Sequence, residues 1–531
     1  MTGYILLVAA IILICLSLNK VSSKVGIPTL LAFIILGMLF GTDGIIKIPF
    51  DNFEIAEMIC SVSLIFIMFY GGFGTNWKQA KPVAAKAVLL STFGVVFTAA
   101  LVGVFCHFVL KIGFWESMLI GSVIGSTDAA SVFSILRSKR LNLKDNTASL
   151  LEVESGSNDP CSYMLTVIIL AVMSGDFSGG ALVWMIFSQI VFGVLVGAVT
   201  AGATVFILKK VRTATDGFDT IFVFSMALIA YAGASIIGGN GYLSVYIAGI
   251  ILGNQPLHNK KSLVHFFDGI TGLMQMLIFF LLGLLAFPSQ LPAILPYALA
   301  IAVFLTFVAR PAAVFALLTP FRCSLRQQLL VSWSGLRGAA SIVFAIMAVV
   351  SPAYMKYDVF HIVIFIVLFS ISIQGSLLGL VSRKLGMIDD NSNVMKTFSD
   401  YSEEMPVEFV KIIIKKDHPW AYRQIKEITS LPDLLLVLIL RGEERLIPNG
   451  NTVVLPGDKI VLSALSPEED LGLVLSEIVV DKDSDWIGKP LSKIKLGESK
   501  LVLVLKRNER VVIPNGGTVI QENDVLVISQ L

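Results

Sequence analysis

The sequence predicts a polytopic α-helical membrane protein with 13 transmembrane helices, inverted repeats and two broken helices that cross, followed by a cytoplasmic α/β tail. Hydrophobic residues make up 55% of the 531 residues and charged residues only 15%, whereas soluble domains carry about 25% charge. Up to about residue 382 the apolar residues fall in blocks of roughly 18–28 residues, long enough to cross a bilayer core. Beyond residue 383 the composition becomes that of a soluble protein.

The basic residues predict how these spans are oriented. We place the spans near residues 3–20, 25–41, 54–74, 83–110, 114–136, 147–174, 181–208, 219–237, 240–254, 263–288, 292–319, 327–350 and 358–381. Alternate loops then hold 18 basic residues, and the opposite loops hold only Lys47, Lys111 and Lys356. By the positive-inside rule, the N-terminus lies outside the cell and the tail is cytoplasmic. The first apolar run lacks a basic start and a cleavage site, so we interpret it as a retained helix.

The tail contains an internal duplication. Residues 435–463 align without gaps on residues 501–529, an offset of 66, and the same offset pairs Trp420 with Trp486. Each copy has alternating apolar strands separated by a Pro-Asn-Gly turn, and we expect a short helix before each strand pair. The predicted domains are therefore a membrane domain (1–382), a polar linker (383–403) and two tail modules (404–467 and 468–531).

The repeated tail pattern, "R…E…IPNG.T…D…VLS", resembles the TrkA-C (RCK-C) regulatory domain of potassium-transport proteins. The resemblance implies dimerisation and binding of a small regulatory nucleotide, which is cyclic di-AMP in some members. No Gly-x-Gly-x-x-Gly follows a tail strand, which argues against a dinucleotide sensor. A purely structural, dimerising tail is the alternative.

Two glycine-interrupted segments lie at corresponding places in the two halves of the membrane domain. The segment "IGSTDAAS" (124–131) lies in the fifth span, and "SGLRGAAS" (334–341) lies in the twelfth. This match indicates an inverted-repeat transporter, in which spans one to six correspond to spans eight to thirteen. Broken helices expose backbone ends that bind or neutralise ions. The alternative is that glycine and serine only allow close helix packing.

The sixth span contains the segment "ESGSNDP" (154–160). Glu154 and Asn158 share one helix face, and Asp159 lies about 100° further round. Pro160 removes the N–H that would bond the carbonyl of Gly156 and so loosens the helix there. A buried carboxylate at Asp159 can hold either a proton or a cation. Competition between the two at one group is the minimum requirement for antiport.

The segments "GIPTLLAFIILGMLFG", "GSTDAAS", "ESGSNDP", "ARP" and "SWSGLRGAAS" together resemble the monovalent cation:proton antiporter family, which includes bacterial NhaP proteins and animal sodium/proton exchangers. The resemblance covers about residues 1–385. It implies a homodimer, in which one panel of helices dimerises and a six-helix core moves. It also implies that Asp159 binds cation and proton, that Asn158 completes the pair, and that Asp128, Thr127 and Ser155 complete the coordination. The Asn-Asp pair implies electroneutral exchange, and Ser-Gly-Ser before it favours a bacterial inner-membrane protein.

The remaining intramembrane charges are predicted to have supporting roles. Glu154 is expected to form an ion pair with Arg310 or, as the alternative, with Arg337. Glu152 is expected near the cytoplasmic mouth. Asp268 lies near the cytoplasmic end of its span, where we expect it to line an entry funnel, with helix capping or a surface role as the alternatives.

These observations favour a K⁺ or Na⁺/H⁺ antiporter in pH homeostasis that is regulated by its tail, with potassium indicated only by the tail. The expected partners are K⁺, Na⁺, H⁺, membrane lipid and a second copy of the chain, without nucleic acid, resident metal or other cofactor. The first alternative is a Na⁺/H⁺ antiporter with a structural tail. A cation channel would need a "TVGYG"-like filter, which the sequence lacks. An intramembrane aspartyl protease would need motifs that are also missing, so we expect no enzyme.

Overall fold

The computed structural model describes most of the chain, in two compact units, Met1–Glu403 and Glu404–Leu531, which are treated separately below. The described residues are 2–25, 29–138, 141–175, 179–210, 216–257, 260–389, 407–428, 434–442, 444–465, 474–481, 484–494, 500–507, 510–512, 514 and 516–530.

The first unit is entirely helical apart from its loops and a two-residue bridge. Its described residues form the α-helices α1 (Thr2–Val25), α2 (Thr29–Phe40), α3 (Phe53–Gly74), α4 (Trp77–Ala80), α5 (Ala84–Leu89), α6 (Val95–Phe108), α7 (Phe114–Val123), α8 (Ala129–Ser138), α9 (Thr147–Met173), α10 (Gly179–Lys210), α11 (Asp216–Ile236), α12 (Gly241–Gly253), α13 (Lys260–Leu285), α14 (Leu291–Phe304), α15 (Arg310–Leu318), α16 (Leu325–Trp333), α17 (Ala339–Val350), α18 (Val359–Phe369) and α19 (Ser376–Lys384). Single π-helical turns join α5 to α6, α14 to α15 and α18 to α19 into longer rods.

Membrane-spanning lengths are confirmed for part of the predicted set. Within the described residues, 7 helices are long and apolar enough to cross a bilayer: Phe53–Gly74, Ala84–Phe108, Gly179–Lys210, Gly217–Ile236, Ser262–Leu285, Pro288–Phe321 and Val359–Lys384. Shorter apolar helices occur at Leu6–Leu18, Thr29–Phe40, Gly241–Gly253 and Ala339–Val350. The polytopic helical class is therefore established, and the number thirteen stays a prediction. The end of the helices next to Lys78, Lys144 and Lys260 is called the basic side here.

Two of the predicted spans are interrupted at their glycine-containing segments. The helix breaks between α7 and α8 at residues 124–128, and it breaks between α16 and α17 at residues 334–338. The two breaks touch, because the N–H of Asp128 donates to the carbonyl of Leu336 at 2.8 Å. A Cβ at Gly338 would collide with the Asp128 carboxyl group, so only glycine allows this approach. Both interruptions therefore bring backbone groups that lack helical partners to one place in the bundle.

Two apolar cores hold the helices around that place. The larger core is built from buried residues of α2, α3, α12, α13, α17 and α18, among others. The second core joins α8, α9, α15, α16 and α19 near the basic side. Because α9 packs against elements of both cores, its middle section is fixed in position relative to the two breaks.

The tail consists of two four-stranded antiparallel sheets with the same topology. The first sheet has the order β1-β4-β2-β3 and the second has β5-β8-β6-β7. Their strands are β1 (Val407–Ile413), β2 (Leu434–Arg441), β3 (Glu444–Leu446), β4 (Lys459–Leu465), β5 (Val474–Val479), β6 (Lys500–Arg507), β7 (Arg510–Val512) and β8 (Val525–Gln530). Where we expected short helices of an α/β tail, the described residues contain only single 3₁₀ turns, Ile425–Glu427 and Leu491–Lys493. In the first module the helix is limited to one turn because the flanking residues Gln424 and Ile428 both have an extended backbone.

Candidate cation and proton site

The middle of α9 meets the break between α7 and α8. Asn158 is fully buried, and its Nδ2 donates a hydrogen bond to the Thr127 hydroxyl at 2.6 Å. The Ser126 hydroxyl donates a short hydrogen bond to Oδ1 of Asp159 and lies 3.4 Å from Oδ1 of Asn158. The Ser155 hydroxyl donates to the backbone carbonyl of Thr127 at 2.7 Å. The break therefore places hydroxyl and carbonyl oxygens around the Asp159 carboxylate.

Such a set of oxygens suits a hard monovalent cation. Hydroxyl groups that donate one hydrogen bond keep lone pairs for a cation, and a carboxylate supplies the negative charge. The same carboxylate can bind a proton when the cation leaves. Asp159 is only half-buried, so it stays accessible from the cavity described below. The arrangement can therefore load either a cation or a proton at one group.

Asp128 directly precedes α8 and caps this helix, in addition to carrying a charge. Its Oδ1 accepts the N–H of Ser131 at 3.2 Å, and its Oδ2 accepts the Ser131 hydroxyl at 2.5 Å. This is the geometry of a helix N-cap, in which a carboxylate satisfies free N–H groups of the first turn. The Asp128 carboxylate is also close enough to Asp159 to repel it electrostatically. A bound cation would relieve this repulsion.

Glu154 forms its ion pair with Arg310. Nη2 of Arg310 lies 2.6 Å from Oε1 of Glu154 and donates to Oε2 at 2.9 Å. The side chains are 4% and 1% exposed, so both charges depend on each other for compensation.

Arg337, the alternative partner, makes a different set of contacts. Its Nη1 donates to the carbonyls of Gly125 and Ser126, at 2.8 and 2.6 Å. These carbonyls follow the end of α7, where helical partners are missing, and a cation at a helix C-terminus is favourable. Its backbone N–H donates to the Ser370 hydroxyl at 3.1 Å. Arg337 therefore neutralises the broken helix end next to Asp159 rather than forming a hydrogen-bonded pair with Glu154.

A cavity of about 470 Å³ reaches the site. Its lining includes Thr127, Asp128, Ser155 and Asp159 and continues along α3 and α13 towards the basic side. Glu152 and Asp268, expected at the mouth, both line it, and the Tyr70 hydroxyl donates to Oδ1 of Asp268 at 3.2 Å. The funnel interpretation of Asp268 thus agrees with the geometry, whereas Asp268 lies inside α13 and does not cap its first turn.

Sequence reasoning missed several polar groups in this cavity. Ser126 contacts Asp159 although only its neighbours Thr127 and Asp128 were selected. Thr271 and Gln275 also line the cavity, at three and seven residues after Asp268 on α13. This spacing could have predicted that they lie beside Asp268, because residues at i, i+3 and i+7 lie on one face of a helix. No cluster of His, Cys, Asp and Glu suited to a resident metal occurs among the described residues.

A helical bundle with two broken helices beside an intramembrane carboxylate defines the class of secondary transporters. The family described as "Sodium/hydrogen exchanger, transmembrane" matches residues 7–384, and the TrkA-C domain matches residues 409–470 and 475–529. The chain therefore belongs to the sodium/hydrogen exchanger family and has a TrkA-C tail, which confirms both resemblances.

Curated relatives and a solved structure agree with this assignment. The K(+)/H(+) antiporter NhaP of Alkalimonas amylolytica is 33% identical over 91% of this chain and 86% of its own length. The K(+)/H(+) antiporter NhaP2 of Shewanella sp. (strain MR-4) is 32% identical over 88% of this chain and 82% of its own. The structure of the sodium proton antiporter MjNhaP1 from Methanocaldococcus jannaschii has a TM-score of 0.64 and 24% identity, over 72% of this chain and 98% of that one. At this identity the structural likeness supports the fold alone.

Proposed function

We propose that the protein exchanges a monovalent cation for H⁺ across the membrane by alternating access, with one cation for one proton. The observation that carries this proposal is the half-buried Asp159 carboxylate, which meets the Ser126 hydroxyl at the end of a cavity open towards one membrane face. A group at that position can hold a cation or a proton and cannot hold both tightly. Exchange follows if the loaded site is exposed alternately to the two sides.

The test is cation-driven proton movement in proteoliposomes that contain a pH-sensitive dye. Asp159→Asn keeps the shape of the side chain and its hydrogen-bonding capacity but cannot take up a proton or neutralise a cation. We expect it to abolish exchange and to leave a folded protein. Asp268→Asn is the matched control, because it removes a carboxylate from the same cavity at the mouth rather than at the site. Exchange by Asp159→Asn near the wild-type rate would overturn the proposal.

We propose K⁺ as the main cation and Na⁺ as the second. Support comes from the two relatives named K(+)/H(+) antiporters and from the TrkA-C tail. A Na⁺/H⁺ antiporter with a structural, dimerising tail is the second candidate, and the match to the family described as a sodium/hydrogen exchanger favours it. Initial rates with K⁺ and with Na⁺ as the driving ion, measured at equal concentrations, distinguish the two.

We also propose that the cytoplasmic tail regulates exchange, with cyclic di-AMP or a similar nucleotide as its ligand. Support comes from the residues that follow α19, which pair with the turn between α8 and α9. The N–H of Lys144 donates to the carbonyl of Met387 at 2.9 Å, and the N–H of Asp389 donates to Asn142 at 3.0 Å. The residues that follow α19 are thus hydrogen-bonded to the turn that connects α8 to α9, the helix that carries Asp159. Deletion of residues 404–531 should retain exchange and remove its response to pH or nucleotide.

The remaining architectural proposals follow from the family. We propose thirteen spans arranged as inverted repeats, a homodimer in the inner membrane of a bacterium, an N-terminus outside and a cytoplasmic tail. The basic loops support this orientation, and the matching breaks at residues 124–128 and 334–338 support the repeats. With this orientation, the cavity opens to the cytoplasm and the opposite side faces outwards. Protease accessibility of the tail in everted but not in intact vesicles tests it.

A further inference from the structure

Contacts between α9 and α12 close the path from Asp159 to the outer side. The side chains that make them belong neither to the proposed binding site nor to the sequence motifs. Of α9, the cavity is lined by Glu152, Ser155, Gly156 and Asp159, and by none of the described residues beyond Asp159. The next turns of α9 lie instead against the start of α12. These contacts decide whether a cation can reach Asp159 from outside.

The first contact is a buried hydrogen bond between helices. Nδ2 of Asn240 donates to the carbonyl of Pro160 at 2.8 Å, directly after Asp159. Oδ1 of the same side chain caps α12 by accepting the N–H of Leu243 at 3.0 Å. Asn240 is only 2% exposed. The Asn240 side chain therefore caps α12 and also links this helix to α9 by a hydrogen bond beside Asp159.

The second contact is a cluster of aromatic rings one turn further out. Tyr163 of α9 and Tyr242 of α12 have ring centroids 4.9 Å apart with an interplanar angle of 81°. Phe344 of α17 lies 5.8 Å from Tyr163, and Tyr231 of α11 lies 5.0 Å from Tyr242. The rings of Tyr163, Tyr231, Tyr242 and Phe344 therefore form one packed cluster between α9, α11, α12 and α17, in which Tyr163 and Tyr242 are in edge contact.

We propose that Asn240, Tyr242 and Tyr163 form the outer gate of the transport path, which closes it while the cytoplasmic cavity is open. Asp159 and Tyr163 both lie on α9, whereas Asn240 and Tyr242 lie on α12. Exposure of Asp159 to the outside then requires α9 to shift against α12, which breaks the Asn240 hydrogen bond and separates the two rings. The gate would control the passage of a small monovalent cation. This inference rests on the proposed exchange by alternating access.

The test measures access directly and does not depend on transport. A single cysteine replaces Gln275, which lines the cavity, in a chain whose five native cysteines are replaced by serine. A membrane-impermeant maleimide is applied to right-side-out vesicles and, separately, to everted vesicles. With the gate intact, the cysteine should react in everted vesicles and be protected in right-side-out vesicles.

Two variants open the gate by different means. Asn240→Ser keeps a capping hydroxyl for α12 but is too short to reach Pro160, and Tyr163→Leu removes the ring while keeping an apolar side chain. Each should raise the rate of labelling from outside about tenfold, equivalent to about 1.4 kcal/mol. Asn52→Ser is the matched control, because Asn52 caps α3 in the same way through Ile55 at 2.9 Å. It should leave outside labelling unchanged.

The outcomes separate this inference from the exchange proposal. Unchanged outside labelling in both gate variants, with everted labelling retained as proof of folding, would overturn the gate. An equal increase in Asn52→Ser would also overturn it, because an altered helix cap would then explain the result. If the gate variants are labelled as expected but Asp159→Asn still exchanges ions, the proposed site is wrong and the gate stands.

Discussion

Glu154 of α9 and Arg310 of α15 form a buried ion pair in which one guanidinium nitrogen contacts both carboxylate oxygens, at 2.6 and 2.9 Å. The pair joins the helix that carries Asp159 to a helix that follows a π-helical turn, Leu305–Ala309. Neither charge is accessible to water. The pair therefore fixes α9 without lying in the cavity itself.

The first prediction concerns this pair. Arg310→Met should destabilise the membrane unit by about 3–5 kcal/mol, because Glu154 would remain buried as an uncompensated charge. The double variant Glu154→Gln/Arg310→Met should recover most of that loss, since it leaves no unpaired charge. Thermal unfolding in detergent provides the measurement. Arg383→Met, at an exposed position of α19, is the control and should change the midpoint little. A double variant as unstable as Arg310→Met would contradict the prediction.

The second prediction separates the two roles of Asp128. Asp128→Asn keeps an acceptor for the N–H of Ser131 and should leave stability nearly unchanged, but it removes the charge and should raise the KM for the cation. Asp128→Ala also loses the cap of α8 and should cost a further 0.5–2 kcal/mol, roughly. Cation titrations in proteoliposomes and thermal unfolding give the two readouts. Equal stability of the Asn and Ala variants would show that the cap contributes nothing.

The third prediction concerns the close contact between α9 and α12 at Gly156. A Cβ at Gly156 would lie 2.6 and 2.9 Å from two ring carbons of Tyr246, which is too close for two carbon atoms, and 2.7 Å from its hydroxyl oxygen. Gly156→Ala should therefore lower stability and slow exchange, and Tyr246→Ala in the same chain should restore part of both. Gly269→Ala in α13 is the control, because nothing lies within 4 Å of its Cβ position. That control should be neutral or slightly stabilising, by about 0.4–1 kcal/mol. A fully active Gly156→Ala protein would argue against this packing.

Local sequence signals were sufficient for the parts of the site that lie on one motif. Asn158 and Asp159 are adjacent on α9, and Thr127 and Asp128 lie in a glycine-containing break, so both segments could be selected from their unusual polarity alone. The choice between Arg310 and Arg337 as the partner of Glu154 could not be made from local sequence signals. It depends on how α15 and α17 are positioned against α9, which is tertiary packing that no local pattern encodes.

Other features that were not predicted differ in whether the sequence contained a usable pattern. Ser126 contacts Asp159, but a serine in a small-residue segment reads equally well as a packing residue. Thr271 and Gln275 could have been found from their helical spacing with Asp268. Asn240 could not, because its bond to Pro160 joins residues 80 positions apart. In the tail, repeat alignment predicted the duplicated strands, whereas a short helix was expected before each strand pair and the described residues there form only 3₁₀ turns.

The last prediction concerns the acid stability of the tail, where each module contains the same ion pair between a buried aspartate and a partly exposed arginine. Asp458 accepts from Arg441 at 2.9 and 2.8 Å, and Asp524 accepts from Arg507 at 2.7 Å through both oxygens. The Arg441 hydrogen bonds lower the pKa of Asp458; for Asp524, burial alone would raise the pKa, but the Arg507 bonds outweigh it and the net shift is downwards. Because both folded-state pKa values are below the unfolded value of about 3.9, the stabilisation is complete above about pH 5 and is lost as the pH falls through the folded pKa values.

Urea unfolding of residues 404–531 should therefore show a lower midpoint at about pH 3 than at about pH 7. The variant Asp458→Asn/Asp524→Asn should be less stable at neutral pH and should lose most of this pH dependence. A wild-type midpoint that does not change with pH would show that these pairs do not hold the modules together.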